Sequence, residues 1–205
     1  MSIVKLNNKA VSNATAFGSI SSLGSMTFIK KLTASSSATL SFVDGASGVV
    51  LDNSYKEYLF TFKNIHPATN NAKFQFNLST DGGSNYNVTK TTTFFQAYHA
   101  ENNNAAALGY STGNDLAQST SFQNISSEIS NQNDAHTSGT MTLFNPSSTV
   151  FTKHFMSRVQ VDNNYYAQDE YMAGYGNTTS AVDAIQFKYS SGNIDAGDIC
   201  LYGIA

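Results

Sequence analysis

The chain has 205 residues, a formal net charge of -3 and only 12% charged residues. A chain of this length forms one large domain or two small ones and can bury a substantial core. Its slightly acidic balance and the lack of a Lys/Arg patch argue against a nucleic-acid-binding surface. Cys200 is the only cysteine. An intramolecular disulfide or a cysteine-rich metal site is therefore excluded.

Asn, Ser and Thr supply most of the polarity of the chain and make up about a third of it. These residues are poor helix formers because their side chains compete for backbone hydrogen bonds. The 14 Phe and 11 Tyr residues favour strands instead. This composition predicts an all-β protein whose strands are joined by Asn/Ser/Gly turns.

The first 25 residues carry scattered apolar side chains without a helical or strand period. The pattern predicts either an N-terminal arm that lies across another surface, or a short first strand and loop of the same domain. The segment lacks the apolar run of a signal peptide, and no stretch is long enough to cross a membrane, so we expect a soluble protein that is made in a cytoplasm and is not secreted by the signal-peptide route. The arm's expected assembly contacts are Ile3, Val4, Leu6, Phe17 and Ile20.

Strand signals begin at Met26 and continue to the end of the chain, which predicts a body over residues 26–205. Nine segments either alternate apolar and polar residues or are rich in β-branched and aromatic residues. Two of them, YKEYLFTFKNI and KFQFNLS, alternate with particular clarity. The inward-facing residues that they predict are Tyr58, Phe60, Phe62, Phe74, Phe76 and Leu78.

Two connecting segments stand out between these strands. TDGGSNYN places Asp81 before two glycines, which predicts a tight reversal held by turn hydrogen bonds more than by calcium. Residues 99–138 are polar and predict a long loop, in which 114–132 is the best helix candidate although its Ser/Asn content favours loop.

The chain closes on an apolar run, Ile199-Cys200-Leu201-Tyr202-Gly203-Ile204. A strand with two mostly apolar faces fits the interior of a sheet, where neighbours bond it on both sides. The predicted fold is therefore an all-β, antiparallel β-sandwich of jelly-roll type with an extended N-terminal arm. One cover of the last strand would be the opposite sheet, and the other would be the N-terminal segment or a neighbouring subunit.

No pattern of catalytic or metal-ligating residues emerges. The four histidines (His66, His99, His136 and His154) lie far apart without metal-site spacing, and His154 is expected to be partly buried in a strand. The adjacent carboxylates Asp169 and Glu170 should point to opposite faces of a strand. We therefore expect no catalytic residues, no metal and no cofactor.

Residues 162–177, DNNYYAQDEYMAGYGN, interleave four tyrosines with amides and acids. A tyrosine combines an apolar face with a hydroxyl group, which suits stacking on sugars or contact with a protein. The alternative is a hairpin whose tyrosines pack on the sheet. The candidate ligand contacts in this segment are Tyr165, Tyr166, Tyr171 and Tyr175.

Three segments resemble small structural proteins of marine and cyanobacterial tailed bacteriophages: SIVKLNNKAVSNATAFGSI, YKEYLFTFKNIHPATNNAKFQFNLSTDGGSNYN and YSSGNIDAGDICLYGIA. They cover both ends and the first half of the core, whereas residues 100–140 match nothing in that group. The resemblance implies a jelly-roll-like virion protein that decorates heads or builds tail and fibre parts. It implies association with other virion proteins and a homo-oligomer, with threefold assembly common in the group, and it supplies no catalytic residues.

The leading expectation is a non-enzymatic virion structural protein, assembled in the host cytoplasm and anchored to the capsid or tail by its N-terminal arm. The alternative is a carbohydrate- or host-receptor-binding module of a tail fibre. A polysaccharide-degrading enzyme is a third hypothesis and would need two carboxylates converging in a groove. No nucleic-acid or membrane partner is expected.

Overall fold

The computed structural model describes residues 25–205. The five expected arm contacts, Ile3, Val4, Leu6, Phe17 and Ile20, therefore lie outside the described residues, and the arm stays a prediction.

The described part of the chain folds into twelve β-strands and contains no helix. Alternating buried and exposed positions run through most of the strands, which is the pattern of sheets with one covered face. The strands are β1 (Met26–Thr33), β2 (Leu40–Val43), β3 (Glu57–Pro67), β4 (Ala72–Ser79), β5 (Lys90–Ala100), β6 (Ala106–Tyr110), β7 (Gln123–Ile129), β8 (His136–Phe144), β9 (Lys153–Asp162), β10 (Tyr166–Gly176), β11 (Ala184–Tyr189) and β12 (Ile194–Ile204).

All strand pairs are antiparallel and fall into two sheets that pack against each other. The large sheet has the order β1-β12-β3-β8-β9-β10-β5-β6, and the small sheet has the order β2-β11-β4-β7. When β5, β6, β9 and β10 are set aside, eight strands remain. If these eight are renumbered 1 to 8 in chain order, the neighbours in the large sheet are 1-8-3-6 and the neighbours in the small sheet are 2-7-4-5. This is the strand order of a jelly roll, so the predicted fold class is confirmed.

The four strands set aside form a continuous addition to one edge of the large sheet, which we call the extension (β9, β10, β5 and β6). They enter as two insertions in the chain, β5–β6 after β4 and β9–β10 after β8. The small sheet ends at β7, which packs over β9 and β10. Beyond β7 the extension therefore has no second sheet opposite it.

The closing strand β12 lies inside the large sheet, bonded to β1 on one side and to β3 on the other. Ile199 and Leu201 are fully buried, as the apolar ending predicts. Cys200, Tyr202 and Ile204 point to the opposite face and are half-buried. The edge of the Phe28 ring packs on Tyr202, and the opposite sheet covers only the inward face.

The core of the sandwich is built from interlocking phenylalanines. Phe187 of β11 lies at its centre and contacts four other aromatic rings from both sheets, with ring centroids 5.4–6.2 Å apart. These four residues are Phe42, Phe60, Phe62 and Phe74. The six inward residues predicted from the alternating strands are all buried, which confirms that part of the sequence pattern.

Two expectations about local structure are wrong. Residues 99–138 are not one long loop, because β6 and β7 lie within them, and the helix candidate 114–132 contains β7 instead. β6 is exposed at every position and β7 is bulged opposite β4, so neither shows a clean two-residue period. His154 is not partly buried: it is exposed on the outer face of β9.

Candidate functional site

The extension is the candidate site, and its outer face, which points away from the small sheet, carries a row of aromatic side chains. Register places Tyr110, Phe95, Tyr171 and Arg158 side by side on β6, β5, β10 and β9. The Phe95 and Tyr171 rings are stacked at 4.8 Å with an interplanar angle of 4°. The Arg158 guanidinium lies 5.0 Å from the Tyr171 ring centre, in cation–π range. We call these four residues the aromatic ladder.

Asp169 fixes one end of the ladder. Arg158 donates two hydrogen bonds to the Asp169 carboxylate, at 3.0 and 2.7 Å, and the Tyr171 hydroxyl donates a third at 3.2 Å. The bonds from Arg158 hold the pKa of Asp169 below its ordinary value. The side chains of the ladder are therefore held in place in the free protein.

Several apolar side chains around the ladder are open to solvent. Leu108 on β6 is 74% exposed and Met156 on β9 is 58% exposed. β6 is also an edge strand, and its sequence AALGY has neither a charge nor a proline. Natural edge strands usually carry such blocking residues, so this edge lacks the ordinary protection against pairing with another chain.

The inner face of the extension buries charged side chains. In the strand register, Lys90 of β5 and Lys153 of β9 lie opposite Gly176 of β10, one on each side of it. The Lys90 ammonium group donates to the Val88 carbonyl and the Lys153 ammonium group to the Phe151 carbonyl, both at 2.7 Å. Burial lowers the pKa of both lysines, that of Lys90 to about 7. These groups tie the connecting segments to the sheet.

Glu170 is buried on the same face, 1% exposed. Its carboxyl group accepts hydrogen bonds from the backbone N–H of Ser127, at 2.9 Å, and from the Ser127 hydroxyl. Burial outweighs these bonds and raises the pKa of Glu170 to about 7. Asp169 and Glu170 lie on opposite faces of β10, as strand alternation predicts, so they do not form an acid/base pair.

A polar groove of about 310 Å³ opens where β7 ends over the inner face of β5 and β10. Its volume is near the lower limit of small-ligand sites, about 300–1,000 Å³. Lys73 and Glu128, cross-strand partners on β4 and β7, lie on one wall. We call it the β7 groove and define it by Lys73, Gln96, Glu128, Asn163, Tyr166 and Gln168.

The structure does not bring the four candidate tyrosines to one surface. Tyr171 and Tyr175 lie on the outer face, and Tyr175 lines a shallow cavity with His154 and Met156. Tyr166 lies in the β7 groove. Tyr165 is in the turn before β10, where its ring packs edge-on against Tyr166.

The residues that sequence reasoning missed are the partners that β5 and β9 supply to these tyrosines. Phe95, Gln96 and Arg158 each lie opposite a β10 residue. The alternation of TKTTTFFQAYH and HFMSRVQV separates the two faces of each strand, but the pairing of β5 with β10 joins residues about 75 positions apart. Only that pairing reveals which side chains meet.

Two other places in the described part carry clusters of polar side chains. A cavity of about 460 Å³ is lined by His66, His136, Asp134 and Asp195. Within residues 25–205, no group of three or more His, Cys, Asp or Glu side chains is arranged to hold a metal ion. The Asp81 carboxylate accepts hydrogen bonds from Ser79 and Asn85, and both following glycines have positive φ, so turn chemistry accounts for that segment.

No protein-family model matches the chain, and neither curated proteins nor solved structures gave a match. Over the described residues, there is no helix of the length and hydrophobicity that a membrane crossing requires.

Proposed function

We propose that this chain is a non-enzymatic structural protein of a bacteriophage particle, displayed on the capsid or tail and anchored through its first 25 residues. The observation that carries the proposal is that β1 to β12 complete the sandwich without residues 1–24. The closing strand already has both neighbours, and the backbone N–H of Ala205, just after it, donates to the Ser25 carbonyl. In this proposal the first 25 residues make the contacts with the particle.

The sequence resemblance and the chemistry of the surface support the same proposal. A jelly roll with few charges, no cross-links and an unprotected apolar edge suits a protein that is assembled once and persists in an oligomer. The partners proposed are other virion proteins and further copies of this chain.

The test of anchoring is a deletion of residues 2–20. The variant should keep the far-ultraviolet spectrum and thermal transition of the full chain and should be lost from purified particles. Normal incorporation of the variant would contradict the anchoring role. Counting copies per particle by quantitative mass spectrometry then separates head decoration, with many copies, from a tail or fibre position, with few.

A second candidate function is recognition of a host carbohydrate or receptor by the extension. It is favoured by the aromatic ladder and the β7 groove, which lie on the two faces of the same strands. A glycan array with the purified chain tests it. Tyr→Ala changes at positions 171 and 175 report on the outer face, a change at 166 reports on the inner face, and a change at 165 reports on the turn before β10.

A further inference from the structure

β6 leaves backbone hydrogen-bonding groups unpaired at the edge of the large sheet. Just beyond its two ends, the N–H of Ser111 donates to Phe94 at 2.9 Å and the C=O of Ala105 accepts from Ala100 at 2.8 Å. Bonded and non-bonded pairs alternate along an antiparallel ladder, so every second residue between these ends directs its N–H and C=O away from β5. These residues are Ala106, Leu108 and Tyr110. No other residue of the described part bonds to their backbone groups.

The two edges of the large sheet differ in how they are protected. β1, at one edge, carries Lys30 and Lys31 and has a bulge after Phe28. Charges and bulges of this kind oppose pairing with another chain. β6, at the other edge, keeps a regular register with β5 and has no charge, proline or bulge. Of the two edges, β6 is therefore the one that can accept a further strand.

The free edge of β6 is complementary to a second copy of itself. A two-fold axis through Leu108 places an antiparallel β6 beside the first, with Leu108 opposite Leu108 of the second copy and Ala106 opposite Tyr110. The three edge-facing residues of each strand then form bonded pairs, and each pair exchanges two hydrogen bonds. Any other register leaves at least one of these residues without a partner in the facing β6. The backbone therefore selects this arrangement.

The side chains of β6 are compatible with the same arrangement. Leu108, which is 74% exposed on the outer face, would be covered by its own copy across the axis. Ala106 is small and leaves room for the Tyr110 ring of the facing strand. On the other side of the sheet Ala107 would lie opposite Gly109, where no bulky group can clash. No residue of the strand is charged, so like charges do not meet across the axis.

We propose that two copies of the chain pair through β6 across this two-fold axis, which joins their large sheets into one continuous sheet. Such a pairing uses the same edge of both copies, so it closes at a dimer and does not extend into a fibre. This closure explains how an uncharged edge strand is kept from open-ended aggregation. The inference rests on the proposed assembly of the chain with further copies of itself, and it names the strand that makes the contact.

The contact is small, and its size sets the expected affinity. β6 supplies five residues a side, compared with about 20–30 in a standard protein interface. We therefore expect a weak dimer with a Kd on the order of 100 µM. On a particle the anchored copies are held at a high effective concentration, so a weak contact is sufficient there.

Sedimentation equilibrium of the full chain at concentrations up to about 1 mM measures the dimer. Leu108→Lys places two like charges opposite each other on the axis and should weaken the dimer about tenfold or more. Val150→Lys is the matched control, because it adds the same charge at an apolar residue that is 69% exposed outside β6, and it should leave the Kd unchanged. A monomer at every concentration would overturn the inference, as would a dimer that Leu108→Lys leaves intact.

Amide hydrogen exchange distinguishes pairing through β6 from any other contact between copies. The three edge-facing amides should exchange about fivefold more slowly at about 1 mM than in the dilute monomer, because about a fifth of the chain then remains monomeric. The amides of Ala107 and Gly109 bond to β5 and should exchange at the same rate in both states. Equal exchange of the edge-facing amides in monomer and dimer would place the contact elsewhere and overturn the inference.

Deletion of residues 2–20 separates this inference from the anchoring role. The deletion leaves β6 unchanged, so the variant should still dimerise although it is expected to be lost from particles. Loss of the dimer on deletion would show that the N-terminal segment of a second copy occupies the edge, and would overturn the inference. An intact dimer together with normal incorporation of the variant would support pairing through β6 and contradict the anchoring role alone.

Discussion

The jelly-roll part and the extension share one sheet, but the buried charged side chains of the described residues all lie in the extension. Around Phe187 the interior is apolar, and the outward positions of β3 are polar or half-exposed. In the extension, lysines, amides and a glutamate are buried on the inner face, while Phe95 and Leu108 are open to solvent on the outer face. The small sheet accounts for the difference, because it covers the first region and stops at β7.

This contrast indicates which region of the molecule is selected for folding and which for contact with other molecules. A buried phenylalanine cluster is sufficient to hold two sheets together. Buried ionisable groups and exposed aromatic rings are unfavourable for an isolated domain, and they concentrate at sites of interaction. Stability should therefore depend mainly on the jelly roll, and interactions on the extension.

The largest expected effect is in the jelly-roll core. Phe187→Ala removes a ring that contacts four others and leaves a cavity between the sheets. We expect the free energy of unfolding to fall by about 3–5 kcal/mol in urea or guanidinium titrations. The control is Phe151→Ala, which removes a ring that is 68% exposed. Similar losses in the two variants would contradict the assignment of stability to this cluster.

The next prediction tests whether ionisation of the buried Glu170 carboxyl group lowers the stability of the folded protein. Glu170 has a pKa raised from 4.5 to about 7 by burial, with Lys73 and Asp169 the nearby charges. Between these two pH values the folded protein holds a proton that the unfolded chain releases, so stability falls as pH rises from about 4.5 to 7 and stays lower above that.

Glu170→Gln removes this loss while keeping the shape of the neutral side chain. The variant should match the natural protein near pH 4.5 and exceed it at pH 8, by an amount on the order of 2 kcal/mol. Thermal unfolding over that pH range measures the difference. A gap between the two proteins that does not change with pH would show that folding leaves the pKa of Glu170 unshifted, and that the inner face is not a low-dielectric site.

A smaller effect tests the aromatic ladder on the outer face. Tyr171→Ala removes the stack with Phe95 and the contact with Arg158, and should lower stability by about 1 kcal/mol. A double-mutant cycle with Phe95→Ala isolates the pair and should give a coupling of about 0.5–1.5 kcal/mol. A coupling near zero would show that the two rings do not stack in solution.

The sequence specifies the jelly-roll part much better than the extension, for a physical reason. Tyr58, Phe60 and Phe62 alternate because one face of β3 is covered, and the apolar ending of β12 follows from its place between two strands. Where one face of a strand is buried, apolar residues occupy every second position of its sequence. β6 has no covered face and therefore carries no such period.

The candidate site was less accessible to sequence analysis for a related reason. The tyrosines of β10 stood out by composition, but their partners depend on which strands lie beside β10. Phe95 and Gln96 are consecutive residues of β5 and face opposite sides, one to the ladder and one to the groove. The composition of a segment does not indicate which neighbour each side chain meets, and the chain order does not place β5 beside β10.

The smallest predicted effect compares the consecutive carboxyl groups Asp169 and Glu170. Solvent-exposed ion pairs contribute little to stability, so Arg158→Met should leave the thermal transition unchanged within measurement error. It should nevertheless raise the pKa of Asp169 toward its ordinary value, because the bonds from Arg158 are the main cause of the lowered pKa. An NMR titration of the carboxyl carbons would follow both residues, and the pKa of Glu170 should move much less than that of Asp169, because the Asp169 charge is the smallest of the causes that act on Glu170. If the two pKa values shifted equally, the division between a solvated outer face and a dry inner face would be wrong.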